Sequence, residues 1–193
     1  MKRIENKINS NTLPLWNKFY DLEYNETTSK ARRIYYQVIL DFFQEGIFSI
    51  LDIGCGIGDG VSYVKKQRKN CLVTGCDFSD VAIQKAKSSY PNMDFFVFDI
   101  YKDVLEKQYD YITLVEIVEH LEDPYKCIDK CLKKCKYLII SVPYKNALKK
   151  DKEHIITDIT EESFRKYTVE KTVIWRKKSS KKSYLTIMLK GIL

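Results

Sequence analysis

The stretch that decides the fold is SILDIGCGIGDG, residues 49–60, where a short apolar run around Asp52 leads straight into a series of glycines. A buried strand that ends in glycine brings its backbone close to something. A phosphate-cradling loop of the G-x-x-x-x-G-K-[ST] type is ruled out, because no Gly-Lys pair follows. The dinucleotide pattern G-x-G-x-x-G also fails: counted from Gly54 it meets Asp59, and counted from Gly56 it meets Val61. Asp52 and Asp59 beside the start of a helix would also repel a pyrophosphate, which otherwise favours such a position. What remains is D-x-G-x-G-x-G, formed by Asp52, Gly54, Gly56 and Gly58. That pattern suits a zwitterionic ligand that bears a cation and no phosphate.

Outward from this turn, strands and helices alternate. FSILDI (48–53) is a first strand, followed by a helix through about Gln67. CLVTGCD (71–77) is a second, followed by a helix opened by Ser79 and running through Lys87. MDFFVFDI (93–100) is a third and YDYITLVE (109–116) a fourth. Pro124 suits the first turn of a helix expected to run through Cys135, ahead of a fifth strand, KYLIISVP (136–143). Near-continuous apolar strands separated by helices mean a parallel sheet covered on both faces. The tail differs: ITEESFRKY (159–167) reads as a short helix with a T-x-x-S start. KTVIWRK and SYLTIML then flank KSSK as an antiparallel hairpin.

Ahead of the first strand, residues 1–12 are polar and read as frayed. LPLWNKFYDLEY (13–24) and SKARRIYYQVILDFF (29–43) are expected helices, the second capped by Ser29 and ended by Gly46. The division expected is an N-terminal helical extension over 1–46 and a doubly wound α/β domain over 47–193, one domain in all.

The chain has 193 residues and a formal net charge of +7, spread unevenly. Residues 126–193 hold 18 Lys/Arg against 7 Asp/Glu, and residues 1–125 hold 15 against 19. A basic C-terminal third can attract a polyanion, although a solvated lysine-rich surface is the simpler reading. No stretch has the run of about 18 apolar residues that a membrane span needs. The start, MKRIENKINS, has no apolar core of a secretory signal, and six cysteines without secretory context read as reduced thiols. A cytoplasmic location and no membrane partner are the expectation.

Two further acids belong with the glycine turn. Asp77 ends the second strand, where a carboxylate can accept from ribose hydroxyls. Asp99 is placed at the end of the third, where it can accept from an adenine amino group. With LDIGCGIGDG, GCDFSDVAIQKAK, FFVFDI and YDYITLVEIVEHLEDP, the chain resembles the class I S-adenosylmethionine-dependent methyltransferases over roughly residues 30–193. The resemblance implies S-adenosyl-L-methionine as cofactor and a mostly parallel seven-stranded sheet of order 3-2-1-4-5-7-6, with strand 7 antiparallel. It places Gly54, Cys55 and Gly56 along the methionine part, Asp77 at the ribose, Asp99 and Ile100 at the adenine, and Phe78 on the adenine face. Val115, at the end of the fourth strand, completes the candidate set.

Methyl transfer to a hydroxyl needs in-line positioning and removal of a proton, by a base or a metal. The candidates are Glu116, Glu119 and His120 of EIVEH, with His154, the other histidine of the chain. Both histidines fall at the ligand edge of the sheet. E-x-x-E-H followed by a distant histidine resembles the small-RNA 3′-end 2′-O-methyltransferases, where such residues hold a divalent ion. Ubiquinone-pathway O-methyltransferases share the E-x-x-E-H part. The RNA enzymes carry their second histidine in a denser histidine-acid cluster, whereas His154 stands alone. A base or orienting role for His120 without a metal is therefore expected.

Cys127, Cys131 and Cys135 recur every four residues, which places them on one helical stripe as buried small side chains rather than metal ligands. Trp16, Phe19, Tyr20 and Tyr24 form an aromatic group that either packs on the sheet or makes a lid. No large insertion follows the fifth strand, which favours a small acceptor. The function expected is O-methylation of a small hydroxylated metabolite or sugar. RNA methylation, methylation of nitrogen or carbon, and a non-catalytic cofactor-binding subunit are the alternatives.

Overall fold

In the computed structural model, residues 1–4, 7–145, 153–177 and 182–193 are described. The strands of the main sheet are β1 (Ser49–Ile53), β2 (Leu72–Asp77), β3 (Asp94–Val97), β4 (Tyr109–Val115), β5 (Cys135–Pro143), β6 (Val169–Arg176) and β7 (Ser183–Lys190). Their order is 3-2-1-4-5-7-6; β7 runs antiparallel to β5 and β6, and the other pairs are parallel. That is the order implied by the resemblance. The KSSK segment between β6 and β7 lies outside the described residues.

The apolar runs are continuous because both faces are covered. Along β4, Tyr111 and Val115 join one core cluster, whereas Ile112 and Leu114 join the other. The first cluster takes Tyr36 and Ile39 from α2 (Glu26–Ile39) and Val61 and Val64 from α3 (Asp59–Gln67). The second takes Cys127, Ile128 and Cys131 from α5 (Pro124–Leu132). α4 (Asp80–Ser89) adds Ile83 and Ala86 to the first cluster, and α1 (Leu13–Lys18) continues as a π-helical turn over Phe19–Glu23.

Local chemistry sets the ends of these helices. The Ser79 hydroxyl accepts from the Ala82 amide at 3.0 Å and opens α4. Asp123 does the same for Lys126 at 3.0 Å and opens α5, with Pro124 following it. Thr160 and Ser163 form a reciprocal capping box on the short 3₁₀ turn Glu161–Phe164.

Several boundaries differ from the sequence expectation. Asn25, not Ser29, caps α2, because its side chain accepts from the Thr28 amide at 3.1 Å and the helix starts a turn earlier. The helix closes through a 3₁₀ turn at Leu40–Phe42, and Gly46 lies in the loop beyond. α5 stops at Leu132, and Cys135 is the first residue of β5, paired with Tyr109. The third strand ends at Val97, so Asp99 sits in the following turn. Residues 1–12 are not frayed along their described length. Lys2–Arg3 pair antiparallel with Ile156–Thr157, and the terminal ammonium donates to Ser163 Oγ at 2.7 Å.

Candidate functional site

β1 and β4 lie side by side, and the chain leaves them toward opposite edges of the sheet. A cavity of about 300 Å³ opens at their carboxyl ends, where ligands of such sheets bind. Gly54, Asp77, Phe78, Asp99 and Ile100 line it, as the sequence reading expects. The N-terminal segment closes it with Asn11, Trp16, Tyr20 and Arg32.

The glycine turn is held tightly. Gly54, Gly56 and Gly58 all have positive φ, +80°, +56° and +84°. A side chain on Gly54 would overlap Ile117, and one on Gly56 would reach the Tyr20 ring. Asp77, 3% exposed, accepts from the Gly56 amide through Oδ2 and from the Ser79 amide through Oδ1, both at 2.9 Å. Burial raises its proton affinity, and these amides and the Arg32 charge oppose that rise. Asp99 is buried in part, which pushes its pKa up. Hydrogen bonds from Lys102 and the Tyr101 amide outweigh that and leave it below the ordinary range.

Five expected cofactor residues, Asp52, Cys55, Gly56, Gly58 and Val115, do not line this cavity. Asp52 lies beneath the turn, where Tyr36 donates to it at 2.8 Å and Thr113 at 2.5 Å. Burial carries its pKa up to about 6. Cys55 is buried against Gly75, Gly58 faces the Phe95 ring, and Val115 belongs to the sheet core. Gly56 reaches the site only through Asp77, to which its amide donates. All six cysteines are free and buried, including the Cys127, Cys131 and Cys135 set.

The structure brings His120 and His154 together, ring centroids 4.7 Å apart and nearly perpendicular. Trp16 meets the His120 ring edge-on at 5.4 Å. His120 Nδ1 lies 3.2 Å from the Glu153 carbonyl, which can only accept, so Nδ1 carries the hydrogen and Nε2 the lone pair. Burial and the neighbouring His154 push the His120 pKa down to about 3. One ligand atom from each of Glu119, His120 and His154 lies within 4.8 Å of the others, a set able to hold a divalent cation.

Asn11 ties the N-terminal segment to this loop. Its Nδ2 donates to the carbonyls of Glu153 at 2.7 Å and His120 at 3.3 Å, and its Oδ1 accepts from Trp16 Nε1 at 3.3 Å. Lys7 adds a bond to the His154 carbonyl at 2.5 Å.

Glu116 follows β4 with φ +58°, a left-handed conformation that a non-glycine residue holds only under constraint. Its Oε1 is buried and has no hydrogen-bond partner among the described residues. Burial raises its pKa to about 8, against the nearby charges of Arg32, Lys177 and Lys182 and a hydrogen bond from Tyr35. Arg32, Asn11, Ile117 and Tyr101 also line the cavity, and the sequence reading missed them.

A model of the methyltransferase domain matches residues 20–174. The chain belongs to this family and has the class I fold of the S-adenosylmethionine-dependent methyltransferases. Its curated relatives include the (S)-tetrahydroprotoberberine N-methyltransferase of Eschscholzia californica, 38% identical over 80 residues, 39% of this chain and 23% of that one. The ubiquinone biosynthesis O-methyltransferase of Coxiella burnetii is 34% identical over 89 residues, 42% of this chain and 36% of that one. The match thus spans well under half the length of either relative. Among solved structures, the N-methyltransferase NodS of Bradyrhizobium japonicum WM9, in complex with S-adenosyl-L-homocysteine, is similar with a TM-score of 0.66. It is 18% identical, and the match covers 94% of this chain and 97% of that one.

Proposed function

We propose that the protein transfers a methyl group from S-adenosyl-L-methionine to a hydroxyl oxygen of a small hydroxylated metabolite, with Glu116 as the base. The residues fit the cofactor. Asp77 would offer its remaining lone pairs to the ribose hydroxyls, Asp99 and Ile100 would hold the adenine, and Phe78 would pack against it; all four line the cavity. Arg32 is the cation available to the methionine carboxylate beside Gly54. When bound, the cofactor supplies an electrophilic methyl carbon on a sulfonium. The chain positions the acceptor in line and excludes water with the Trp16 and Tyr20 cover. Glu116 Oε1 would take the proton of the acceptor hydroxyl as that oxygen accepts the methyl group, which the bound cofactor would supply.

The observation that carries this reading is Glu116, which lines the cavity with a buried carboxylate oxygen that has no hydrogen-bond partner among the described residues. A base whose proton affinity lies near neutral pH suits the task better than His120, which burial makes a weak base. Of the base or orienting role expected of His120, this reading keeps the orienting one, with His154 and Glu119 beside it. The test is labelled methyl transfer onto a panel of hydroxylated and amine-bearing small molecules, with S-adenosyl-L-homocysteine binding measured by calorimetry. Amines methylated in place of alcohols and phenols would refute oxygen as the acceptor atom.

A second reading rests on the closeness of Glu119, His120 and His154, with His120 Nδ1 tied to a carbonyl as metal-bound imidazoles commonly are. There a divalent ion held by the three side chains would polarise the acceptor hydroxyl. Activity lost to a chelator and restored by a divalent ion would establish it; indifference to chelator would leave Glu116 to act alone.

A further inference from the structure

The turn that follows β3, residues 98–103, is a thin wall. Ile100 and Tyr101 line the cofactor cavity on one side and an open depression of about 590 Å³ on the other. Tyr101, Lys102 and Asp103 are exposed. The turn's own bonds are short-range. The Tyr101 amide donates to Asp99 Oδ1 at 2.9 Å, and the Asp99 amide donates to Asp103 Oδ2 at 2.7 Å. These bonds set the shape of the turn without tying it to the rest of the fold. At its start, the buried Phe98 is anchored by its amide, which donates to the Asp77 carbonyl at 2.9 Å.

The other anchor is Lys130, half-buried on α5. Its ammonium donates to the Ile100 carbonyl at 2.6 Å and to the Asp103 carbonyl, and lies 5.6 Å from the centroid of the Phe98 ring. One cation thus draws together two carbonyls three residues apart and closes the turn from behind. Just past α5, Lys134 donates to the Glu106 carbonyl at 3.1 Å and extends the tie along the chain.

We infer that Lys130 is a positioning residue for adenine recognition: it ties the turn that carries Asp99 to α5 and so fixes the register in which that turn meets the base. The inference rests on the cofactor placement above, with Asp99 accepting from the adenine amino group. Lys130 does not line the cofactor cavity, so it acts through the turn. Hydrogen bonds from a charged donor are stronger than neutral ones, and their loss would leave two carbonyls without that donor over a wall that an open depression backs. A bond between Asp99 and the amino group depends on distance and angle, so a loosened turn loses selectivity for the base before it loses the rest of the cofactor.

The test uses the full chain and two probes that differ only at the base. S-adenosyl-L-homocysteine carries the amino group, and S-inosyl-L-homocysteine has a carbonyl in its place. Calorimetry reads both affinities. The wild type should prefer the adenosyl probe by about tenfold or more, because a site built to bond an amino group rejects the analogue that lacks it. Lys130→Met keeps an apolar stem over Phe98 and removes the donors. It should weaken the adenosyl probe about tenfold and cut the preference to about threefold or less. Lys130→Arg, which keeps donors for both carbonyls, should restore most of the preference. Lys133→Met, on the rim of the same depression, should leave both affinities unchanged. A general loosening of the fold would weaken both probes alike. An undiminished preference in Lys130→Met, with or without such a loss, would therefore overturn the positioning role. Equal binding of both probes by the wild type would remove the adenine amino group from Asp99, and the inference with it. Binding of neither would overturn the cofactor reading beneath both.

Discussion

The Asp77 carboxylate accepts a hydrogen bond from the Gly56 amide at 2.9 Å and so ties the end of β2 to the turn after β1. The same side chain lies in the cavity wall, so it shapes the turn and is available to a ribose. Asp77→Ala should lower the affinity for S-adenosyl-L-homocysteine at least tenfold, since hydrogen bonds to a charged group contribute about 1.5–3 kcal/mol each. Asp77→Asn keeps acceptor oxygen for one partner and should fall between the two. Calorimetry decides, and unchanged affinity in Asp77→Ala would remove Asp77 from the cofactor site.

Glu116 makes a signed demand on pH. Arg32 and Tyr35 from α2, Lys177 after β6 and Lys182 before β7 face it, yet burial holds its pKa near 8. The base form therefore grows as pH rises toward 8, and turnover should climb and then level off above it. Glu116→Gln should lose that limb together with most of the turnover. Stability runs the opposite way. The folded state keeps the proton between the ordinary carboxyl value of 4.5 and about 8, so wild-type stability falls as pH rises through that window. Glu116→Gln should melt higher than the wild type at pH 8 to 9 and no higher at pH 4. A parallel pair of melting curves across that range would contradict the raised pKa.

Gly60 lies outside the D-x-G-x-G-x-G pattern but is no freer than its glycines. A side chain there would overlap the Tyr36 ring. That ring cannot swing away cheaply, because its hydroxyl donates to the buried Asp52 at 2.8 Å. Gly60→Ala should destabilise the fold by about 1–3 kcal/mol. Gly60→Ala combined with Tyr36→Phe should recover part of the loss, because the freed ring can shift. Denaturant titration of both variants checks this, and wild-type stability in Gly60→Ala would refute the account.

Much of the fold was legible because its signals are local. Continuous apolar strands, the Ser79 and Pro124 helix starts and the T-x-x-S start at Thr160 each lie within a few residues. The site was legible where it follows strand ends, at Gly54, Asp77, Phe78 and the EIVEH stretch. The misses depend on distance. Nothing in the sequence separates Arg32 from Arg33 beside it, and only the packing of α2 turns the first toward the cavity. Asp52 reads as a ligand group until Tyr36 and Thr113, both remote in sequence, claim its oxygens. Residues 1–12 carry no apolar pattern, and their order comes from pairing with Ile156–Thr157. Cys135 continues a four-residue spacing that the chain abandons after Leu132, where strand pairing with Tyr109 takes over.

That N-terminal segment should matter to the site more than its composition suggests. Asn11 bridges the carbonyls of His120 and of Glu153, the neighbour of His154, so Asn11→Ala should loosen both loops at once. Turnover should fall several-fold, while the affinity for S-adenosyl-L-homocysteine changes little. The amides of residues 118–121 and 153–156 should exchange with solvent faster in Asn11→Ala. Unchanged exchange there would show that the two carbonyl contacts do not hold the loops.

The basic C-terminal third bears on whether RNA is the acceptor. Several of its lysines are already engaged by the fold. Lys130 donates to the Ile100 carbonyl at 2.6 Å, Lys171 to Asp41 O at 2.5 Å and Lys177 to Ala31 O at 3.0 Å. Lys136 pairs with Asp110 at 2.7 Å and Lys166 with Asp129 at 3.3 Å. These positions are spread over α5, β5, the edge strand β6 and the segments on either side of it, and their ammonium groups are already engaged within the fold. Binding to single-stranded RNA should be weak and non-specific, and should weaken steeply as salt rises. Neutralising Lys171 and Lys166 should change it only slightly. Tight binding to a defined RNA end that survives physiological salt, with methyl groups incorporated there, would make RNA the acceptor in place of a small hydroxylated metabolite.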